Sequence, residues 1–198
     1  MKVLLVNPTF DYAIRSEASP FPQEAAGGYP PLGLLYLQAA VEQRGHEAIV
    51  VDAALPGRSE TAIANASKSA PPDVVGLTAM TPNLPSVLWT VSRLREVFPK
   101  AKTILGGPHA DIFPAESVAH DGVDYALAGE AEETLPVLLD TMETGGDPRS
   151  IPGLYYGERS APGEHESERP WIRDLDALPF PDRRSLGVEN YRGPAGRD

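Results

Sequence analysis

A chain of 198 residues has room for one well-buried α/β domain and an appendage, and 28 Asp and Glu against 17 Lys and Arg leave a formal charge of −11, which argues against nucleic acid as a partner. No stretch approaches the roughly 18 to 20 unbroken apolar residues of a membrane span, and the opening MKVLLVNP has too short an apolar core for a secretory signal, so a cytoplasmic protein with no membrane partner is expected. Cysteine is absent, which removes disulfides, thiolate zinc sites, cysteine nucleophiles and iron–sulfur ligation from this stretch.

The first apolar run, VLLV (3–6), is continuous, as suits a strand covered on both faces. It leads into NPTFDYA (7–13) and a Pro-, Gly- and aromatic-bearing loop to Gly28, a length typical of functional lids. Pro30 and Pro31 open a helix whose Leu32, Leu35, Tyr36 and Ala39 repeat at i, i+3, i+4 and i+7. The second strand is AIVV (48–51), followed by a weaker helical segment over 59–69 and a third strand, VVGLTA (74–79). Thr81 before Pro82 reads as an N-cap ahead of a first-turn proline, and Leu84, Val87, Leu88, Val91 and Leu94 form the stripe of the helix that follows. TILGG (103–107) is the fourth strand, 114–120 a short helix, YALAG (125–129) the fifth strand, and Leu135, Leu138, Leu139 and Met142 mark the last helix. Beyond TGGDPRS (144–150) the composition turns to Pro, Gly, Arg and acidic residues, with GLYYG (153–157) and PWI (170–172) as the segments able to pair in a hairpin.

Strand alternating with helix implies right-handed crossovers and a parallel sheet. The expected architecture is a three-layer, doubly wound α/β domain over residues 1–145, Rossmann-like or flavodoxin-like, with five parallel strands in the order 2-1-3-4-5. Residues 146–198 are expected to form a small β-hairpin and a linker.

Ligands of such sheets bind beyond the carboxyl ends of the strands, at the point where the winding reverses. The residues there are Asn7, Pro8, Thr9 and Tyr12 after strand one, Thr78 and Thr81 after strand three, Gly106, Gly107 and His109 after strand four, and Gly129 and Glu130 after strand five. Each has a plain alternative. Paired glycines make tight turns, a lone loop histidine is usually solvated or hydrogen-bonded, and Glu130, Glu132 and Glu133 suit the first turn of a helix. The coincidence of small and hydroxyl residues at four strand ends is what a broad, flat ligand lying across the sheet edge would need.

Other doubly wound modules fit poorly. Neither G-x-G-x-x-G after strand one nor G-x-x-x-x-G-K-[ST] is present. A phosphoacceptor domain would want acidic residues, an aspartate and a lysine where Asn7, Thr78 and Gly129 stand, and NPTFDYA is too bulky for the phosphate cradle of a flavodoxin.

The ordered set KVLLVNP, YPPLGLLYLQAAVEQRGHEAIVVD, DVVGLTAMT, TILGGPHADIFP, DYALAGEAEETLPVLL, IPGLYYG and IRDLDALPFPDR resembles the N-terminal cobalamin-binding region of the cobalamin-dependent radical S-adenosylmethionine enzymes. That family includes methyltransferases acting on unactivated carbons and anaerobic cyclases of the magnesium-protoporphyrin monomethyl ester type. The resemblance runs from Lys2 to about Arg184. It implies a corrin over the C-terminal edge of the sheet, its nucleotide tail in a groove beside strands one, three, four and five, and Gly106 and Gly107 left bare for that tail. It further implies that Asn7, Pro8, Thr9 and Tyr12 form the loop at the lower corrin face, that Thr78 and Thr81 hydrogen-bond the tail, and that Gly129 and Glu130 flank its buried end, with His109 in the same cofactor-binding set.

Relatives often carry Gly-Glu-Gly-Glu after strand five, and Ala131 replaces the second glycine here. None of His46, His109, His120 or His165 lies in the Asp-x-His-x-x-Gly pattern that ligates cobalt from below, so the resemblance implies base-off cobalamin with no protein histidine on the metal. Family members continue into a barrel whose C-x-x-x-C-x-x-C cysteines hold a [4Fe-4S] cluster that cleaves S-adenosylmethionine. Residues 172–192 resemble the linker into that barrel, which becomes the second expected partner after cobalamin. No catalytic or metal-ligating residue is assigned within this chain, which is expected to bind or dock and not itself to react. Two other readings stand beside this one: a domain that has kept the fold without the cofactor and serves as a docking module, and a stand-alone flavin or nucleotide enzyme.

Overall fold

In β1 (Lys2–Asn7) the side chains alternate between two cores: Val3 and Leu5 enter one, Leu4 and Val6 the other. This two-sided burial is why the strand reads as a continuous apolar run and why helices must cover both faces. The computed structural model describes residues 1–11, 29–55, 71–156, 171–187 and 190–191. The helix expected over 59–69 and most of the loop to Gly28 lie outside them.

After β1 come α1 (Leu32–Gln43), β2 (Glu47–Asp52), β3 (Val74–Thr78), α2 (Leu84–Val97), β4 (Lys102–Gly106), the short α3 (Pro108–Ile112) and α4 (Pro114–Ala119), β5 (Tyr125–Leu127), α5 (Ala131–Thr144) and β6 (Leu154–Tyr156). The six strands lie in the order β2-β1-β3-β4-β5-β6. The first five are parallel, in the expected 2-1-3-4-5 order. Leu34, Leu35 and Val41 of α1 and Leu135, Leu138 and Leu139 of α5 pack on one face of the sheet with Val3, Leu5, Val74 and Ile104. On the other face, Val87, Val91 and Leu94 of α2 pack with Leu4, Val6, Val75, Leu77 and Leu105. Among the described residues no helix is long and apolar enough to cross a membrane.

Three details depart from the sequence-based expectation. The buried stripe of α1 is Leu34, Leu35, Ala40 and Val41, while Leu32 stays 40% exposed, because the helix turns its Leu34–Leu35 side to the core and leaves Leu32 on the opposite side of the same turn. Among the described residues Leu154–Tyr156 does not pair within a tail hairpin but joins the sheet as a sixth strand, antiparallel to β5, with Tyr125 opposite Tyr156 and Leu127 opposite Leu154. The outer edge of β5 is otherwise unpaired, and Gly153, with φ +74°, turns the chain back along it while its carbonyl accepts the Ala128 N–H at 2.8 Å. The α/β unit therefore reaches past residue 145. Leu154 is 2% exposed and Leu186 is 8% exposed, both within the α1/α5 core.

Candidate functional site

The chain leaves β1 toward the α1 face and β3 toward the α2 face, so the sheet edge opens where these adjacent strands part. A cleft of about 580 Å³ lies there, between α1 and α5. Its floor is built in rows. Leu5, Gly76 and Ile104 are register partners across β1, β3 and β4, and two residues nearer the edge Thr78 pairs with Gly106, with Asn7 at the end of β1. Leu37 of α1 and Leu135 of α5 stand on either side. Phe10, Tyr29, Met80, Asn83 and Glu132 complete the upper rim.

The floor is bare where it matters. A Cβ at Gly106 would meet no heavy atom within 4 Å, whereas at Gly76 the side chain of Leu5 already takes the place, its Cδ2 2.9 Å from where a Cβ would lie.

Of the residues singled out from sequence, Asn7, Thr78, Gly106, Gly107 and Gly129 line this cleft. Asn7 is held by its own side chain, whose Nδ2 donates to Asp52 Oδ1 at 2.8 Å. That carboxylate, on a residue 4% exposed, also accepts the Ala54 N–H at 3.0 Å and the Tyr191 hydroxyl at 2.8 Å. Gly129 donates its N–H to Asp111 Oδ1 at 2.8 Å. Gly107 is bare for a reason the sequence did not reveal: its φ is +86°, and a Cβ would lie 2.5 Å from the Thr78 hydroxyl and 3.0 Å from the Ala79 backbone N and O. The protein's own packing, independent of any ligand, excludes a side chain there.

The remaining candidates lie elsewhere. Pro8 and Thr9 are buried, and the Thr9 Oγ1 accepts the Asp11 N–H at 3.2 Å. Thr81 is exposed and shares a 3.1 Å hydrogen bond with His109 Nδ1. His109 is only 2% exposed, its ring 5.4 Å from that of Phe113, and its backbone N–H donates to the Ala79 carbonyl at 2.9 Å. The pair thus staples the loop after β3 to the loop after β4. Glu130 accepts the Ile172 N–H and so anchors the C-terminal segment. Tyr12 lies outside the described residues.

Several lining residues escaped the sequence reading. Gly76 carried a usable signal, a glycine inside an otherwise apolar strand. Asn83 is 1% exposed and shapes the turn after β3 by accepting the Met80 N–H at 2.8 Å. Glu132 lines the cleft, where burial pushes its carboxyl pKa up, a backbone hydrogen bond opposes this, and the neighbouring Glu130 adds to the rise. Pro136, one turn on, offers no N–H to the Glu132 carbonyl. Among the described residues no group of three His, Asp or Glu could hold a metal ion.

A protein-family model described as the B12 binding domain matches residues 23–139. The chain belongs to the B12-binding domain family. This B12-binding domain is 29% identical over 193 residues to an uncharacterized methyltransferase of Pyrococcus horikoshii, covering 97% of the chain and 40% of that protein. It is 28% identical over 196 residues to the anaerobic magnesium-protoporphyrin IX monomethyl ester cyclase of Rubrivivax gelatinosus, covering 96% of the chain and 34% of that protein. The chain therefore spans well under half the length of these relatives. Its fold superposes on the cobalamin-dependent S-adenosylmethionine radical enzyme OxsB, solved with aqua-cobalamin and S-adenosylmethionine bound, with a TM-score of 0.69 at 17% identity, over 97% of this chain and 25% of that one. At that identity the likeness is one of fold.

The residues of this B12-binding domain suit a corrinoid. The cleft has open floor at Gly106, apolar side groups below, and a rim that mixes Asn7, Thr78, Asn83 and Glu132 with Phe10 and Met80. Among the described residues no histidine lines it. His109 is turned into the stapled loops, and His46 lies at the opposite end of the sheet, bonded to the Met1 amino group and to Asp140.

Proposed function

We propose that this chain is the cobalamin-carrying module of a larger radical S-adenosylmethionine enzyme, and that it holds the cofactor base-off with the nucleotide tail in the α1–α5 cleft. Bound cobalamin supplies a cobalt centre able to carry a methyl group or an electron. The chain's own residues hold and shield it. Gly106 clears the floor for the tail, Gly76 lets Leu5 lie flat beneath it, Thr78 and Asn83 offer side-chain hydrogen-bonding groups at the rim, and the Asn7–Asp52 pair fixes the end of β1 beneath the corrin edge. No described histidine stands in the cleft to take the lower axial position, which supports a cobalt face without a protein imidazole.

The reading rests above all on the bare floor beneath that cleft, found in a chain of the B12-binding family. The two relatives are by name a methyltransferase and an anaerobic cyclase, so the full-length reaction falls to methyl transfer or anaerobic cyclisation. The [4Fe-4S] cluster and S-adenosylmethionine belong in this proposal to a barrel that partners the domain.

The test is direct. Chain mixed with hydroxocobalamin and desalted should retain a red protein fraction, and after reduction to the Co(II) state its EPR spectrum should lack the nitrogen splitting of an axial base. A colourless fraction would end the cofactor assignment; retained nitrogen splitting would end the base-off assignment alone.

A further inference from the structure

We propose that the cleft selects among corrinoids by their lower base, accepting a benzimidazole and discriminating against a purine. This rests on the reading that the nucleotide tail enters the cleft. In a corrinoid tail, phosphate and ribose precede the base, so the base reaches deepest.

The cleft changes character with depth. Its polar side chains, Asn7, Thr78, Asn83, Tyr29 and Glu132, belong to the strand ends, the loops beyond them and the first turn of α5. Two residues further down the strands, or about 6 to 7 Å at the usual strand rise, the lining is Leu5, Gly76 and Ile104, with Leu127 of β5 one step past the Leu105–Ala126 pair and Leu37 and Leu135 on either side. Among the described residues no side chain lining that lower layer carries a hydrogen-bond donor or acceptor. The backbone groups beneath it belong to the parallel strand ladders.

A purine brought into this layer would give up water at its ring nitrogens and, for adenine, at its exocyclic amine, with nothing to replace it. A dimethylbenzimidazole has one free ring nitrogen in the base-off state and two methyl groups whose burial is favourable. The walls therefore discriminate by what they cannot offer, a form of specificity built on unpaired polar groups.

Titration of the chain with three corrinoids tests this: cobalamin, its adenine-bearing counterpart and cobinamide, which has no nucleotide. Cobalamin is expected to bind at least about tenfold more tightly than the adenine form, a difference of about 1.4 kcal/mol. Equal affinity for cobalamin and the adenine form, both tighter than cobinamide, would overturn base selection and leave the tail in the cleft. A preference for the adenine form would likewise overturn selection. Equal affinity for all three, or binding of none, would overturn both the selection and the placement of the tail.

Discussion

Gly107 and Thr78 are packed so closely that a methyl group on the glycine would fall 2.5 Å from the threonine hydroxyl. With φ +86° and ψ −179°, Gly107 also occupies a backbone region open essentially to glycine alone. Gly107→Ala should therefore cost about 2–3 kcal/mol of stability in the ligand-free chain, read from urea unfolding. An unchanged unfolding midpoint would show that the loop relaxes to admit a side chain.

Gly106, its neighbour, should behave in the opposite way. Nothing lies within 4 Å of its missing Cβ, and it forms part of the cleft floor. Gly106→Leu should keep stability within about 0.5 kcal/mol of the parent while weakening cobalamin binding by at least about tenfold. Full affinity in this variant would place the tail somewhere else.

This contrast marks how far the sequence could be read. The period of the strands and helices and the apolar runs of β1, β3 and β4 revealed the sheet and its order, because two-sided burial leaves a pattern in the residues themselves. The rule that such sheets bind ligands beyond their carboxyl strand ends pointed to the edge where the cleft opens, with Asn7, Thr78, Gly106 and Gly129 lining it; the residue types there did the rest. They could not separate Gly106 from Gly107, because one is bare toward the cleft and the other toward Ala79, a distinction set by backbone dihedrals. Likewise nothing local in Leu154–Tyr156 says that its partner is β5, and nothing in Glu130 or His109 says that they fasten loops instead of lining the cleft. Those contacts join residues 42 and 28 positions apart.

The Asp52 carboxylate offers a second stability test. Tyr191 donates to its Oδ2, while Asn7 and Ala54 occupy Oδ1. Tyr191→Phe removes a donor from a nearly buried carboxylate and should cost about 1–2 kcal/mol, with the loss appearing in thermal unfolding. A neutral outcome would mean that water replaces the phenol there.

Glu132 should make stability depend on pH. Its pKa is raised in the folded chain, chiefly by burial. The folded state therefore holds the proton more tightly than the unfolded state, and the penalty on the ionised form grows as pH rises above 4.5 and is complete once pH has passed the folded pKa. Glu132→Gln should raise Tm at pH 7 by about 2 °C or less, and the advantage should shrink as pH falls from the folded pKa and vanish below the ordinary value of 4.5. A gain that stays constant with pH would assign the effect to something other than ionisation.

The Tyr191–Asp52 bond closes across 139 residues. A ribosome building the chain from its N-terminus would expose every strand of the sheet before that phenol emerges, so β1 and β2 can pair long before the end of β2 receives its last donor. Completion of the carboxyl edge of the sheet is thus a late event in synthesis, and nascent chains halted between Tyr156 and Tyr191 would carry the sheet without this final brace.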